Sequence, residues 1–142
     1  MPGEIDVTKS QFRYPFAMAT VLWGLMGTPS VAHAPVPLAL QVLEKGAWEV
    51  KPRSPGEEAL NICLGDPRQL LQLYHQRSRC TFHVLENHAT SAVVHYTCRG
   101  SGQGRTALRI ETSRLAQIHT QGVAKGQPFA LAYEARHRGE CH

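Results

Sequence analysis

Four cysteines constrain what this chain of 142 residues can fold into more than any other feature. They are Cys63, Cys80, Cys98 and Cys141, and all of them follow a segment with the pattern of an export signal. Compartments outside the cytosol are oxidising, so an even number of cysteines in an exported domain is typical of disulfides. The sequence therefore predicts a small fold that two disulfides hold together.

The first 34 residues have the features of a cleaved signal peptide. Residues 15–27 form an apolar run, shorter than the roughly 20 residues that a bilayer crossing needs. Ala32 and Ala34 are small residues where a signal peptidase would need them. A buried helix is the alternative, but prolines after the run disfavour it. We predict a signal peptide over 1–34 and a single domain over 35–142, periplasmic or secreted, with no stable membrane anchor.

The predicted mature domain has a moderate positive charge. It contains thirteen lysines and arginines against nine aspartates and glutamates, a balance of +4. Such a charge would help binding to an acidic surface. No block of basic residues and no basic stripe interleaved with aromatic residues is present, so the sequence does not predict binding to nucleic acid. It does not predict a cofactor either.

Apolar and polar residues alternate with a period of two through most of the domain, the pattern of half-buried strands. The predicted strands cover residues 46–50, 57–63, 80–86, 92–98, 105–112, 115–121 and 129–134. Turn-forming residues separate the later strands, and short connections favour an antiparallel meander.

One helix is predicted between the second and third strands. Asp66 can cap it, Pro67 suits its first position, and it is expected to run for about three turns to near Gln76. Leu70 and Tyr74 lie on its apolar stripe. The predicted fold class is therefore α+β: an antiparallel meander sheet of six to seven strands, one packed helix and two disulfides.

Strand register predicts which cysteines pair. If the strands on either side of Ala89 form a hairpin, Cys80 lies opposite Cys98. The same register places Phe82 opposite Tyr96 on one face. Opposed residues have Cβ atoms about 4.5–5.5 Å apart, close to disulfide range. A register that buries the aromatic residues therefore also brings two sulfurs together.

The two remaining cysteines, Cys63 and Cys141, are then expected to form the second disulfide. A metal site is the alternative use of four cysteines. Their spacings of 17, 18 and 43 residues lack the closely spaced pairs that build a zinc cluster. Disulfides are favoured.

The cysteine order occurs together with the sequence Gly-Ala-Trp-Glu at residues 46–49 and an Arg-x-x-Gly-x-Cys pattern that ends at Cys141. These features resemble a bacterial exported family catalogued as domain of unknown function 3617. In that family a cysteine closes the second strand, two more flank a hairpin, and the chain ends in the same pattern. The resemblance spans about residues 44–142, with Ala47 in place of the usual leucine. It implies the location and the fold but no activity.

Two histidines form the first candidate site. In the hairpin register His83 lies opposite His95 on the polar face, and such a pair could bind Cu or Zn. His119 or Glu111, on a neighbouring strand, would be the third ligand. The alternative is that these are exposed polar residues on the solvent side of the sheet.

Two aromatic residues form the second candidate site. Trp48 and Tyr96 could line a ligand cavity beneath the helix, because curved sheets often enclose one. The alternative is a plain structural role, since aromatic residues supply much of the buried area of a small domain.

Five arginines could form an anion-binding face: Arg105, Arg109, Arg114, Arg136 and Arg138. Glu111 and Glu134 could instead neutralise part of this face as cross-strand pairs. Three alternating glycines over residues 100–104 look like a phosphate-binding loop, but no helix follows them. They predict a mobile hairpin tip.

No Gly-x-Ser-x-Gly elbow and no Ser–His–Asp grouping stands out, so the sequence leans against an enzyme without deciding the question. The leading hypothesis is a non-catalytic module that binds an envelope protein or a small apolar or anionic ligand. A metal-binding protein that uses His83 and His95 is the first alternative. A small hydrolase whose site assembles only in the folded chain is the second.

Overall fold

The computed structural model describes residues 35–142, and the predicted signal peptide over residues 1–34 lies outside them. The described residues form one antiparallel sheet of seven strands, as predicted. In chain order these are β1 Gly46–Pro52, β2 Leu60–Leu64, β3 Cys80–Asn87, β4 Ser91–Cys98, β5 Gly102–Thr112, β6 Leu115–Ala124 and β7 Gln127–Gly139. Their order across the sheet is β2-β1-β7-β6-β5-β4-β3. A meander from β3 to β7 is thus extended by the β1–β2 hairpin.

The connection from β2 to β3, residues 65–79, crosses the sheet because these two strands are its opposite edges. It does not contain the predicted three-turn α-helix. It forms two short 3₁₀ helices instead, Pro67–Leu71 and Leu73–His75. A 3₁₀ helix rises about 2.0 Å per residue against about 1.5 Å for an α-helix, so the same residues reach further across the sheet.

The two 3₁₀ helices are separated at Gln72, whose backbone leaves the helical region at φ −124° and ψ 38°. Its side-chain amide donates to the carbonyl oxygens of His75 and Ser78, at 3.0 and 3.1 Å. The predicted cap is confirmed, since Asp66 Oδ1 accepts the backbone N–H of Arg68 at 2.9 Å.

The only α-helix among residues 35–142 is α1, Leu38–Gln41, a single turn that the sequence did not predict. The fold is therefore mostly β, and the predicted α+β class is right only in part. Within the described part of the chain, no helix is both long and apolar enough to span a bilayer.

The core fills the space between one face of the sheet and the segments that cover it, residues 35–45 and 65–79. Its larger members are Leu40, Trp48, Val50, Leu64, Leu70, Leu71, Val94, Leu108, Ile118 and Tyr133. A buried polar contact ties the cover to the sheet. The hydroxyl of Thr106 donates to the carbonyl oxygen of Leu71 at 2.6 Å and lies 2.9 Å from the hydroxyl of Thr120.

Both predicted disulfides are present. Cys80 faces Cys98 across β3 and β4, with their Cα atoms 4.0 Å apart, and Phe82 faces Tyr96 in the same register. The second disulfide joins Cys63 of β2 to Cys141 at the chain end, with a Cα separation of 5.6 Å. These bonds are compatible with an oxidising compartment outside the cytosol.

The prediction of a mobile hairpin tip over residues 100–104 is wrong for residues 102–104. Gly102 and Gly104 lie in β5, and Gly104 pairs with Tyr96. A Cβ atom on Gly104 would lie 2.5–2.7 Å from atoms of the Tyr96 side chain. Glycine is needed there because the phenol lies over the strand.

Candidate functional site

The predicted metal residues lie on the face of the sheet away from the core. His83 is opposite His95, as expected. The residue of β5 that faces His95 is Arg105, so a guanidinium and not a third ligand comes next along the row. His119 and Glu111 are not gathered with the pair. Among residues 35–142 no three histidine, cysteine, aspartate or glutamate side chains form a group that could hold a metal ion.

Trp48 and Tyr96 are both sealed in the core, where they are 1% and 0% exposed. The indole Nε1 of Trp48 donates to the carbonyl oxygen of Glu44 at 2.9 Å. Neither residue lines any of the hollows described below. The structure therefore places both of them in packing roles.

A hollow of about 690 Å³ lies beside the second 3₁₀ helix, at the end of the sheet where β6 turns into β7. We call it the end hollow. Its described lining includes Leu60, Leu73, Tyr74, His75, Arg77 and Lys125. It opens under the connection between β2 and β3, close to where the sequence predicts a ligand cavity, but different residues form its wall.

One wall residue of the end hollow, Tyr74, belongs to an aromatic stack. The rings of Tyr74 and Phe129 are parallel within 5°, with their centroids 4.2 Å apart. Tyr74 is nevertheless 49% exposed. One face of its ring packs on the protein, and the rest is open to a ligand.

His75 is 6% exposed and both of its ring nitrogens are engaged. Nε2 lies 3.2 Å from the carbonyl oxygen of Ser101, which can only accept, so Nε2 carries the proton. In the tautomer with its proton on Nε2, Nδ1 accepts from the Tyr96 hydroxyl at 3.1 Å. Burial raises the pKa of Tyr96, which keeps the phenol protonated as the donor. His75 is thereby fixed as part of the wall.

The serines at the end hollow do not pair with this histidine. The hydroxyls of Ser78 and Ser101 are 2.9 Å from each other, and His75 contacts Ser101 only through its backbone oxygen. A nucleophile needs a base within hydrogen-bonding reach of its hydroxyl. These residues therefore lack the arrangement of a serine hydrolase.

The charge around the end hollow is of one sign. Arg77 and Lys125 are its only charged lining residues among those described, and neither forms an ion pair or a side-chain hydrogen bond within residues 35–142. Lys125 and Gly126 form the two-residue turn between β6 and β7, with φ of 49° and 78°. The backbone N–H of Lys125 donates to Ser101 at 3.2 Å, which holds the turn against the wall.

Most of the five predicted arginines are neutralised. Arg109 bonds Glu111 at 2.8 Å and Arg136 bonds Glu134 at 2.6 Å, so the expected role of the two glutamates is confirmed. Each pair lies two residues apart on one strand, not across strands as predicted. The guanidinium next to Glu134 holds the pKa of that carboxyl below its usual value. The remaining pairs are Arg114 with Glu44 and Arg138 with Glu49.

Sequence reasoning missed the residues that form the end hollow. The adjacent aromatic residues Tyr74 and His75 were assigned to an α-helix, on which Tyr74 would have been buried. The sequence also contains Lys125-Gly126, in a segment predicted only to be a turn. This pair could have indicated a cation at the surface, because a lysine before a glycine in a two-residue hairpin turn projects into solvent.

The fold and the end hollow together define the structural class of this protein: it is a disulfide-bonded β-sheet domain with a cationic hollow at its surface. No protein-family model matches the chain, and neither a curated protein nor a solved structure is significantly similar to it. Its resemblance to domain of unknown function 3617 stays a prediction.

Proposed function

We propose that this chain is an exported, non-catalytic binding module that holds a small amphipathic anion in the end hollow. One observation carries the proposal. An open aromatic ring, that of Tyr74, shares a hollow with two cations, Arg77 and Lys125, and no carboxylate is among the described lining residues.

The dimensions of the end hollow support a small ligand. Its volume of about 690 Å³ lies within the range of about 300–1,000 Å³ that is usual for small-molecule sites. Leu60 and Tyr74 supply apolar surface for a ring or a short acyl chain. A carboxylate, sulfonate or phosphate on that ligand would be held at the cationic rim, where charge-assisted hydrogen bonds are the strong ones.

Export to the periplasm or beyond the cell is part of the same proposal. It is supported by the signal-peptide features of the first 34 residues and by the two disulfides. The resemblance to a bacterial exported family points the same way. The unidentified partner in the envelope would be whatever delivers or receives the ligand.

Anilinonaphthalene sulfonate is a suitable probe, because it combines two aromatic groups with one anion and fluoresces when it is bound. We expect saturable binding to the oxidised mature protein and much weaker binding of the uncharged analogue phenylnaphthylamine. The double variant Arg77→Gln/Lys125→Asn should weaken sulfonate binding about tenfold, or about 1.4 kcal/mol. Asparagine suits position 125 because it tolerates a positive φ.

Arg105→Gln is the matched control, since it removes one arginine from the opposite face and should leave binding unchanged. Tyr74→Ala should weaken binding of the sulfonate and of the neutral analogue alike. Near-ultraviolet circular dichroism must stay native, because partly unfolded chains also bind this dye. Equal sulfonate binding by wild type and the double variant would refute the proposal.

Metal binding by His83 and His95 is a second candidate function. The observation in its favour is their opposed position in the β3–β4 register, where Cβ atoms are about 4.5–5.5 Å apart. No third ligand joins these two imidazoles among residues 35–142, so water or a ligand from another molecule would complete the coordination of Zn²⁺ or Cu²⁺.

A further inference from the structure

Three shallow hollows on the face of the sheet away from the core join into one groove. Their volumes are about 350, 410 and 300 Å³. The first shares Arg105, Gln121 and Ala130 with the second, and it shares Ala107 and His119 with the third. We call the combined feature the outer groove.

The outer groove runs along β5 and β6. It begins near the pair Gln103–Val123 and ends near the pair Arg109–Gln117. Six residues of strand separate Gln103 from Arg109, a length of about 20 Å. An extended peptide of about six residues has the same length.

Small side chains make the groove possible. Ala107, Ala130 and Ala132 lie along it on β5 and β7, where larger residues would fill the space. Short side chains on the outer faces of β5 and β7, on either side of β6, leave room for a main chain to lie on the sheet.

The charge of the groove favours an acidic occupant. Its charged lining residues within 35–142 are Arg53, Arg105, Arg109 and Glu86. Arg109 forms an ion pair with Glu111, and Arg53 donates a hydrogen bond to the side chain of Gln117.

Arg105, near the middle, forms no ion pair and no side-chain hydrogen bond with any residue that the structure describes. His95 and Gln121 face it from the neighbouring strands and supply further polar groups. A single unpaired guanidinium flanked by polar groups matches one carboxylate better than the repeated charges of a nucleic acid, which need a row of cations.

We propose that the outer groove binds an extended acidic segment of a partner protein, with a carboxylate of that segment on the guanidinium of Arg105. This site lies on the opposite face from the 3₁₀ helices and does not depend on ligand binding in the end hollow. The module would thus bind a small anion at one place and a partner protein at another.

Fluorescence anisotropy at low salt tests the proposal with a labelled six-residue peptide of alternating glutamate and threonine. Its control is the same peptide with glutamine in place of glutamate. We expect the oxidised mature protein to bind the acidic peptide at least tenfold more tightly than the neutral one. Arg105→Gln should remove most of that difference, and Ala130→Phe should weaken binding by filling the groove while every charge is kept.

Arg77→Gln is the matched control, because it removes an arginine at the end hollow and should leave peptide binding unchanged. Equal affinity of the acidic and neutral peptides, or no effect of Arg105→Gln, would overturn the proposal. So would an oligonucleotide of six bases that competes at Arg105 and binds more tightly than the acidic peptide. Loss of peptide binding in Arg105→Gln together with intact dye binding would separate this site from the end hollow.

Discussion

The two faces of the sheet are built from the same strands and have opposite characters. On the covered face Val94, Tyr96 and Ile118 are sealed under the 3₁₀ helices and α1. The neighbours of these residues along each strand point to the outer face, and they include polar residues such as His95 and His119. Because one face is fully packed, it can hold the backbone rigid while the other face, and the end of the sheet, remain free for binding.

The two disulfides sharpen this comparison, because one is on the covered side and the other is exposed. Cys98 is buried, whereas Cys63 and Cys141 are both exposed. If stabilisation came from burial, the Cys80–Cys98 bond would matter more. The loop-entropy model predicts the reverse, since the bonds close sequence separations of 18 and 78 residues.

Replacing Cys63 and Cys141 by alanine should therefore lower the free energy of unfolding by about 4.5 kcal/mol, and replacing Cys80 and Cys98 by about 3 kcal/mol. Urea unfolding of the two double variants and the wild type gives the comparison. A larger loss from the buried bond would mean that packing and not chain entropy dominates.

Trp48→Ala tests the covered face itself. The indole is fully buried and donates a hydrogen bond, so its removal should cost about 3–5 kcal/mol in the free energy of unfolding. Arg105→Gln, on the outer face, should change it by no more than about 0.5 kcal/mol. Chemical unfolding measures both, and similar values for the two variants would contradict the division into a structural and a free face.

Asp66→Ala tests how strongly the helix cap stabilises residues 65–79, the segment that covers the core. Loss of the cap to Arg68 should cost about 1 kcal/mol. The side-chain hydrogen bond from Arg68 lowers the pKa of Asp66 below its ordinary value. The contribution should thus be full above the ordinary aspartate pKa of about 4 and be lost as the pH falls through the lower pKa of the folded state.

Unfolding free energies of wild type and Asp66→Ala, measured from neutral to acidic pH, should therefore converge at the acidic end. A constant difference across that range would show that the carboxylate does not act through its charge.

The smallest effect is expected from metal ions on the outer face. Zn²⁺ titrated into the wild type and into His83→Ala should bind weakly, because the described residues provide two imidazoles and no third ligand. Isothermal titration calorimetry measures both proteins. Tight binding by the wild type that is lost in His83→Ala would establish the metal-binding alternative.

How far the fold could be predicted differs between segments. The period of two in β3 and β4 predicts their register, because shifting it by one residue would expose Phe82 and Tyr96. The same argument predicts the Cys80–Cys98 disulfide, and Cys63–Cys141 follows as the remaining pair. The segment 65–79 could not be predicted in this way, since its leucine spacing fits either helix type.

The candidate sites were harder to predict than the fold. Opposition of His83 and His95 follows from strand parity, and the structure confirms it. The partners of the arginines depend on which rotamers reach a carboxylate, and the end hollow brings together Leu60, Tyr74 and Lys125 from three distant segments. No local sequence pattern predicts that these three segments lie together.

The sequence by itself determined the strands, their pairing in the β3–β4 hairpin and the Cys80–Cys98 disulfide, because alternation and cysteine position within a hairpin are local properties of the chain. The Cys63–Cys141 disulfide followed as the remaining pair. Only the tertiary structure decided that β2 and β3 lie at opposite edges, so that the segment between them must cross the apolar face. The crossing segment therefore forms two 3₁₀ helices where the sequence predicts an α-helix, and the end hollow lies beside them. The physical reason is distance, since the segment has to span the width of the sheet and a more extended helix reaches further with the same residues.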